Sequence, residues 1–226
     1  MIEFIESVIP NFSRGSSELG RAIIQTLQMV AISGLVAFLL GTALGVALVV
    51  MKKGGICQSL LVYNILDKSI NVLRSIPFLI LIFMLMGLSR LIMGTAIGVA
   101  GAIVPLVVGT VPFFSRQIET ALSEVPHGLI EASTAMGVSR LGVIFRVYLR
   151  ESIPSITRVT QITAINLVNL ATFAGAVGAG GLGDFALRFG HQLNMRDLMW
   201  LTIAIILILV SLIQAVGNII IKKSTH

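Results

Sequence analysis

Charge is scarce in this sequence. Of its 226 residues only 12% are charged, 56% are apolar and the mean hydropathy is +0.99. A soluble domain carries about 25% charged residues. A chain this poor in charge cannot coat a globular surface, which excludes the one or two soluble domains its length would otherwise permit. It also excludes a disordered chain and a broad basic face for nucleic acid. Cysteine is nearly absent: the single Cys57 allows no intrachain disulfide. The Walker A pattern is missing, since Gly54-Gly55 is followed by no Gly-Lys-Ser/Thr. The chain is therefore expected not to hydrolyse ATP and not to be an enzyme. His127 and His191 stand without a second His or a Cys at ligand spacing, so no metal site is expected.

What the sequence has instead is long uncharged runs. A membrane span takes about 20 mostly apolar residues. Uncharged runs cover Ala22–Met51, Ser75–Ser89, Leu91–Ser115, Val159–Leu182 and Leu198–Ile221. The second is short and is extended back to about Ile70, with Arg74 snorkelling toward the headgroups. The expected fold class is therefore all-α, a polytopic membrane protein with five transmembrane helices in one domain over 1–226. Residues 1–20 carry Glu3, Glu6, Arg14 and Glu18 and lack the pattern of a cleaved signal peptide. With Ile2, Phe4, Ile5, Val8 and Ile9 they read as a short interfacial segment.

The formal net charge of +6 is distributed unevenly. Eleven Lys or Arg fall on one side of the five spans: Lys52, Lys53, Lys68, Arg74, Arg116, Arg140, Arg146, Arg150, Arg158, Lys222 and Lys223. Five fall on the other: Arg14, Arg21, Arg90, Arg188 and Arg196. The positive-inside rule makes the first side cytoplasmic, the N-terminus external and the C-terminus internal. The net charge then records topology and contact with anionic membrane lipid, and no nucleic-acid partner is expected.

One connection is long, Arg116–Arg158 on the cytoplasmic side. A loop of that length needs structure or a task of its own. Pro126 suits the first turn of a helix running through Leu129, Ile130, Ala132, Ala135 and Met136. Gly137 can take the left-handed position that ends it, and Ser139 can cap a second helix. That second helix runs through Leu141, Ile144, Phe145, Tyr148 and Leu149 to about Ile153, and Pro154 ends or kinks it. A short apolar helix bearing one acid, Glu131, suits docking in a groove of another protein or packing beneath its own spans.

Glu131-Ala132-Ser133, three residues, then Gly137 resembles the EAA loop of bacterial ABC-importer permeases, with Val147 and Leu149 at the positions where that family carries Ile and Leu. Ser133 departs from the second alanine, and Arg150 stands where proline is usual. The resemblance extends over nearly the whole chain through Arg74-Ser75-Ile76-Pro77-Phe78, Gly94-Thr95-Ala96-Ile97-Gly98, Ala102-Ile103-Val104-Pro105-Leu106 and Gly175-Ala176-Val177-Gly178-Ala179-Gly180-Gly181-Leu182-Gly183. Within the type I importers the chain is similar to the permeases that import methionine. The resemblance implies five spans per subunit, a bacterial cytoplasmic membrane and a pair of permease subunits. It also implies two ABC ATPase subunits beneath them, which bind ATP and Mg so that this chain carries no cofactor, and an extracytoplasmic methionine-binding protein, often lipid-anchored. Leu129, Ile130, Glu131, Ala132, Ser133, Met136, Gly137 and Val138 would then form the helix that couples the permease to the ATPase.

Other signals stay open. Gly178-Ala179-Gly180-Gly181-Leu182-Gly183 matches G-x-G-x-x-G but ends a membrane span, so a dinucleotide site is rejected. Gly178, Gly180, Gly181 and Gly183 read as a sharp turn or an outer gate. Asn166, Asn169 and Thr172 lie in the fourth span, and Asn166 and Asn169 share a helix face. They either hydrogen-bond within the bundle or line the translocation path. Gly41-x-x-x-Gly45 and Gly94-x-x-x-Gly98 suggest close helix crossings. Pro105 and Pro112 would bend the third span. An ion-driven amino-acid carrier is the main alternative, but it would be expected to show repeats and intramembrane acids, whereas spans one, three, four and five contain no Asp or Glu and no clear repeat is present.

Overall fold

A computed structural model describes residues 10–224. Residues 1–9 of the expected interfacial segment lie outside them, and from Phe12 onward its residues belong to the first long helix, so that part of the reading is corrected. Among the described residues there is no strand. Nine helices follow in order: α1 (Phe12–Met51), α2 (Leu60–Ser75), α3 (Phe78–Met93), α4 (Gly98–Ser123), α5 (His127–Ala135), α6 (Arg140–Val143), α7 (Ile153–Ala174), α8 (Gly181–Phe185) and α9 (Arg196–Ser224). Helix α6 continues through a π-helical turn over Ile144–Tyr148 and a last turn over Leu149–Glu151.

Four helices are long and apolar enough to cross a membrane, and the bent pair α2–α3 makes a fifth span if counted as one. Several boundaries differ from the sequence reading; the first helix starts at Phe12 and not at Ala22, and the fourth span leaves helical geometry after Ala174. The second run is not one helix from Ile70, because α2 and α3 meet at 109°. Pro77 has no N–H to donate and holds Ile76 in the extended region, at φ −81° and ψ 124°. The third run does not start at Leu91: Leu91–Met93 finish α3, and Gly94 and Gly98, both at positive φ, bracket the turn before α4. That pair of glycines is thus a turn and not a helix crossing. The long connection also narrows, because Arg116–Ser123 belong to α4 and Ile153–Arg158 to α7.

The chain forms two compact units. One comprises Met1–Leu35, Pro77–Val107 and Ala164–Ile213. Its interior has two clusters. The first is built on Met29, Leu106, Leu167 and Ala171, and the second on Leu19, Leu182, Phe185 and Leu198. The other unit comprises Val36–Ile76, Val108–Thr163 and Gln214–His226, with a core of Val49, Val50, Phe114, Ile118, Leu122, Ile130, Val143 and Tyr148. In this unit the Gly41/Gly45 pair behaves as expected. A Cβ at Gly41 would come within 2.7 Å of Phe114 and one at Gly45 within 2.6 Å of Ile118, so α1 and α4 touch through bare backbone. Large apolar side chains also point outward, among them Leu35, Leu61, Leu91, Trp200 and Leu212, as surfaces meeting lipid or other apolar helices require.

Candidate functional site

Helix α5 is delimited by backbone chemistry. Pro126, at φ −58° and ψ 128°, precedes its first residue. At the other end Val138 N–H donates to Ser133 O at 3.1 Å and Gly137 N–H to Thr134 O at 3.0 Å. This paired closure is a Schellman motif, and it requires a left-handed residue at Gly137, whose φ is +77°. Ser139 Oγ then accepts from Gly142 N–H at 3.2 Å and starts α6. The chain breaks at Ser152, so Pro154 falls in the first turn of α7.

The eight residues singled out on and after this helix divide by exposure. Ile130 is buried at 6% exposure among Val49, Val50, Leu122, Val125, Val143 and Tyr148. Ser133 and Val138 are half-buried. Leu129, Glu131, Ala132, Met136 and Gly137 are exposed, Met136 at 75%. The Glu131 carboxylate lies 3.0 Å from His127 Nδ1. Leu141 and Phe145 are exposed on the segment that follows. One buried isoleucine thus pins a short helix whose outward side is apolar with a single acid. Such a surface is suited to docking in a groove of another protein.

The other sequence-selected residues lie in the first-described unit. Thr172 Oγ1 donates to Val168 O at 2.9 Å within its own helix. Asn166 is half-buried and Asn169 exposed, and neither side chain has a hydrogen-bond partner among the described residues. Helix α7 ends at Ala174 and passes into a break, where Val177 (φ −106°, ψ 20°) and Gly178 (φ 106°, ψ 10°) leave helical geometry. Gly180 and Gly181 both have φ +79°. Gly183 sits so close to Thr172 that a Cβ would stand 1.9 Å from its carbonyl oxygen. A cavity of about 20 Å³ adjoins the break, lined by Ile82, Met86, Pro105, Val177 and Gly178 among others.

Sequence reading missed what holds this break. Gln25 Oε1 accepts from Gly181 N–H and Thr26 Oγ1 from Leu182 N–H, both at 2.8 Å. These caps lie 156 residues away in the chain, and the sole signal was two polar residues inside an apolar run. Arg188 joins α1 to the same region by pairing with Glu18 at 2.5 Å and Asp184 at 3.2 Å. Donation of a hydrogen bond to the Glu18 carboxylate holds the Arg188 pKa above the ordinary arginine value. In the other unit, Arg116 pairs with Glu119 at 2.6 Å, as its i,i+3 spacing suggests, and also with Asp67 and with Asn71 Oδ1 at 3.1 Å. The Asp67 contact, on α2, was not legible in sequence. Among the described residues no three His, Cys, Asp or Glu gather in a group that could hold a metal.

Comparison with known proteins covers almost the full length. The family described as binding-protein-dependent transport system inner membrane component matches residues 55–222. The probable D-methionine transport system permease protein MetI of Vibrio cholerae serotype O1 is 42% identical over 215 residues, covering 95% of this chain and 96% of that one. A protein of the same description from Pasteurella multocida is 36% identical over 208 residues, covering 92% and 96%. A solved structure of inward-facing conformations of the MetNI methionine ABC transporter superposes with a TM-score of 0.92 at 39% identity, covering 94% of this chain and 99% of that one.

Proposed function

The chain belongs to the family of binding-protein-dependent transport system inner membrane components, and on that footing we propose that it is the permease subunit of an ATP-driven importer of methionine, the D enantiomer included. The observation that carries this reading is the near-complete similarity to a D-methionine permease at 42% identity. The family is a transport component, and an ion-driven carrier finds no support beside it. In this reading two copies of the chain pair in the cytoplasmic membrane above two ATPase subunits, which bind ATP and Mg. An external binding protein delivers the substrate. The N-terminus faces out and the C-terminus in.

Residues 128–137 would dock on the ATPase. Supporting this are the outward Leu129, Glu131, Ala132 and Met136, held by the inward Ile130. Closure of the ATPases on ATP would draw the two docking helices together and open the membrane pair outward, and hydrolysis would reverse it. Asn166, Asn169 and Thr172 would line the path. Uncharged polar groups suit transient contact with a zwitterion carrying a thioether tail. Gly178, Gly180, Gly181 and Gly183 would shape the outer gate.

The test is co-purification with the ATPase and binding protein, followed by reconstitution in liposomes. L- or D-methionine with the binding protein should stimulate hydrolysis and drive uptake. Stimulation by other amino acids and not by methionine would sink the substrate assignment. A chain that retains no ATPase would sink the assembly. Glu131→Lys should abolish uptake while leaving the permease in the membrane, and wild-type uptake in that variant would remove the docking assignment.

A further inference from the structure

A cavity of about 330 Å³ opens where α1 ends, bounded by Lys52, Lys53, the Gly54-Gly55 turn, His127 and Tyr148. Its charge is of one sign, with two lysines and no carboxylate among the lining residues. Glu131, the nearest acid on α5, lines a neighbouring cavity instead and is engaged by His127. Glu124 is engaged too, accepting from Ser155 Oγ at 2.5 Å. Lys52 Nζ donates to Ser123 Oγ at 3.2 Å, which holds it at the rim with donors to spare. The turn closes the end of α1 with its own backbone, Cys57 N–H donating to Val50 O at 2.9 Å and Ser59 N–H to Met51 O at 3.1 Å. The lysines are therefore not needed to cap those carbonyls.

The second observation is Tyr148. It is buried at 6% exposure, lines this cavity, and its hydroxyl has no hydrogen-bond partner among the described residues. Burial pushes its phenol pKa up, so the group is a neutral donor at physiological pH. The ring is buried, while the unpartnered hydroxyl oxygen stays accessible and can donate to an acceptor that enters the cavity. The cavity immediately follows the uncharged run Ala22–Met51, at the depth where lysines meet headgroups.

We propose that Lys52, Lys53 and Tyr148 form a binding site for a phosphate-bearing anion, supplied by an anionic phospholipid headgroup at the membrane face or by free phosphate. Two ammonium groups neutralise the phosphate and the phenol donates to one of its oxygens. The site depends on membrane placement and not on the substrate or docking assignments.

The test uses the purified permease–ATPase complex in detergent, titrated with short-chain phosphatidylglycerol, with phosphatidylcholine and with inorganic phosphate, bound lipid being read by native mass spectrometry. Phosphatidylglycerol should bind in preference to phosphatidylcholine. The double variant K52Q/K53Q should weaken it roughly twenty-five-fold, about fivefold for each lysine near an anionic group. The control K222Q/K223Q, at the other lysine pair that closes a span, should leave binding unchanged. Tyr148→Phe should weaken binding severalfold with an unchanged thermal midpoint. Displacement of the lipid by inorganic phosphate identifies the soluble anion as a source, and no displacement identifies the lipid. Equal lipid and phosphate binding by wild type and K52Q/K53Q overturns the site. So does loss of the ATPase from K52Q/K53Q with lipid binding intact, because the cavity would then receive an acidic segment of that partner.

Discussion

Gly137 carries the most information per residue. Its φ of +77° is set by the two hydrogen bonds that close α5. Nothing lies within 4 Å of where a Cβ would be, so the cost of a side chain there is conformational and not steric. Gly137→Ala should cost about 1–2 kcal/mol locally. It should fray the end of α5 and reduce coupled uptake more than membrane abundance, measured as uptake per permease in liposomes. Uptake equal to wild type would remove the need for the left-handed closure. Gly183 represents the opposite case, in which space and not conformation is limiting. A methyl group there would overlap the Thr172 carbonyl, so Gly183→Ala forces the backbone apart and should lower the thermal midpoint of the complex, by an overpacking cost of about 1–3 kcal/mol. An unchanged midpoint would show that the break yields freely. The left-handed need at Gly137 was legible in sequence, since a helix, a glycine and a capping serine follow in order. The clash at Gly183 was not, because Thr172 approaches it only through the fold.

At the scale of elements, α5 separates anchoring from docking. Ile130 is its one buried side chain, so Ile130→Ala should destabilise the unit by about 2–5 kcal/mol and detach the helix, detectable as faster proteolysis within 124–152. Met136→Asp alters an exposed position and should leave stability unchanged while reducing ATPase co-purification. If both variants lose ATPase and stability alike, the division of the helix into two faces is wrong. The break after α7 depends on α1 in a similar way. Replacing Gln25 and Thr26 with alanine leaves the amides of Gly181 and Leu182 without acceptors, at about 1–3 kcal/mol each. The Gln25→Ala/Thr26→Ala double variant should speed hydrogen exchange across Gly181–Phe185. Unaltered exchange would mean that the break holds its own shape. Sequence periodicity located the helices but not their joints. Pro77 was visible as a residue, yet the 109° bend between α2 and α3 required knowing that Ile76 is extended.

For the whole molecule, outward apolar surface and unpartnered asparagines frame the transport question. Asn169 is exposed and unpaired among the described residues, so Asn169→Leu removes no internal hydrogen bond. It should impair uptake with little loss of assembled complex, and unchanged uptake would exclude Asn169 from the path. The sequence by itself determined the class of this protein. Scarce charge and long continuous uncharged runs point to an apolar helical bundle, because backbone groups in lipid are satisfied within helices or closed barrels and barrel strands are short and alternate in hydropathy, and the Glu131 to Gly137 pattern pointed to the importer permeases. It also determined the ends of α5, since Pro126, Gly137 and Ser139 act on their own local backbone. The tertiary structure decided which side of that helix is buried and that Arg116 reaches Asp67 across 49 residues. It likewise decided that Gln25 and Thr26 hold a break 156 residues away and that Tyr148 turns inward to a basic cavity. The reason is physical: propensity and hydropathy are properties of neighbours in the chain. Hydrogen-bond partners, close approaches and charge pairs are properties of neighbours in space, and a long apolar helix offers many equivalent faces until packing selects one.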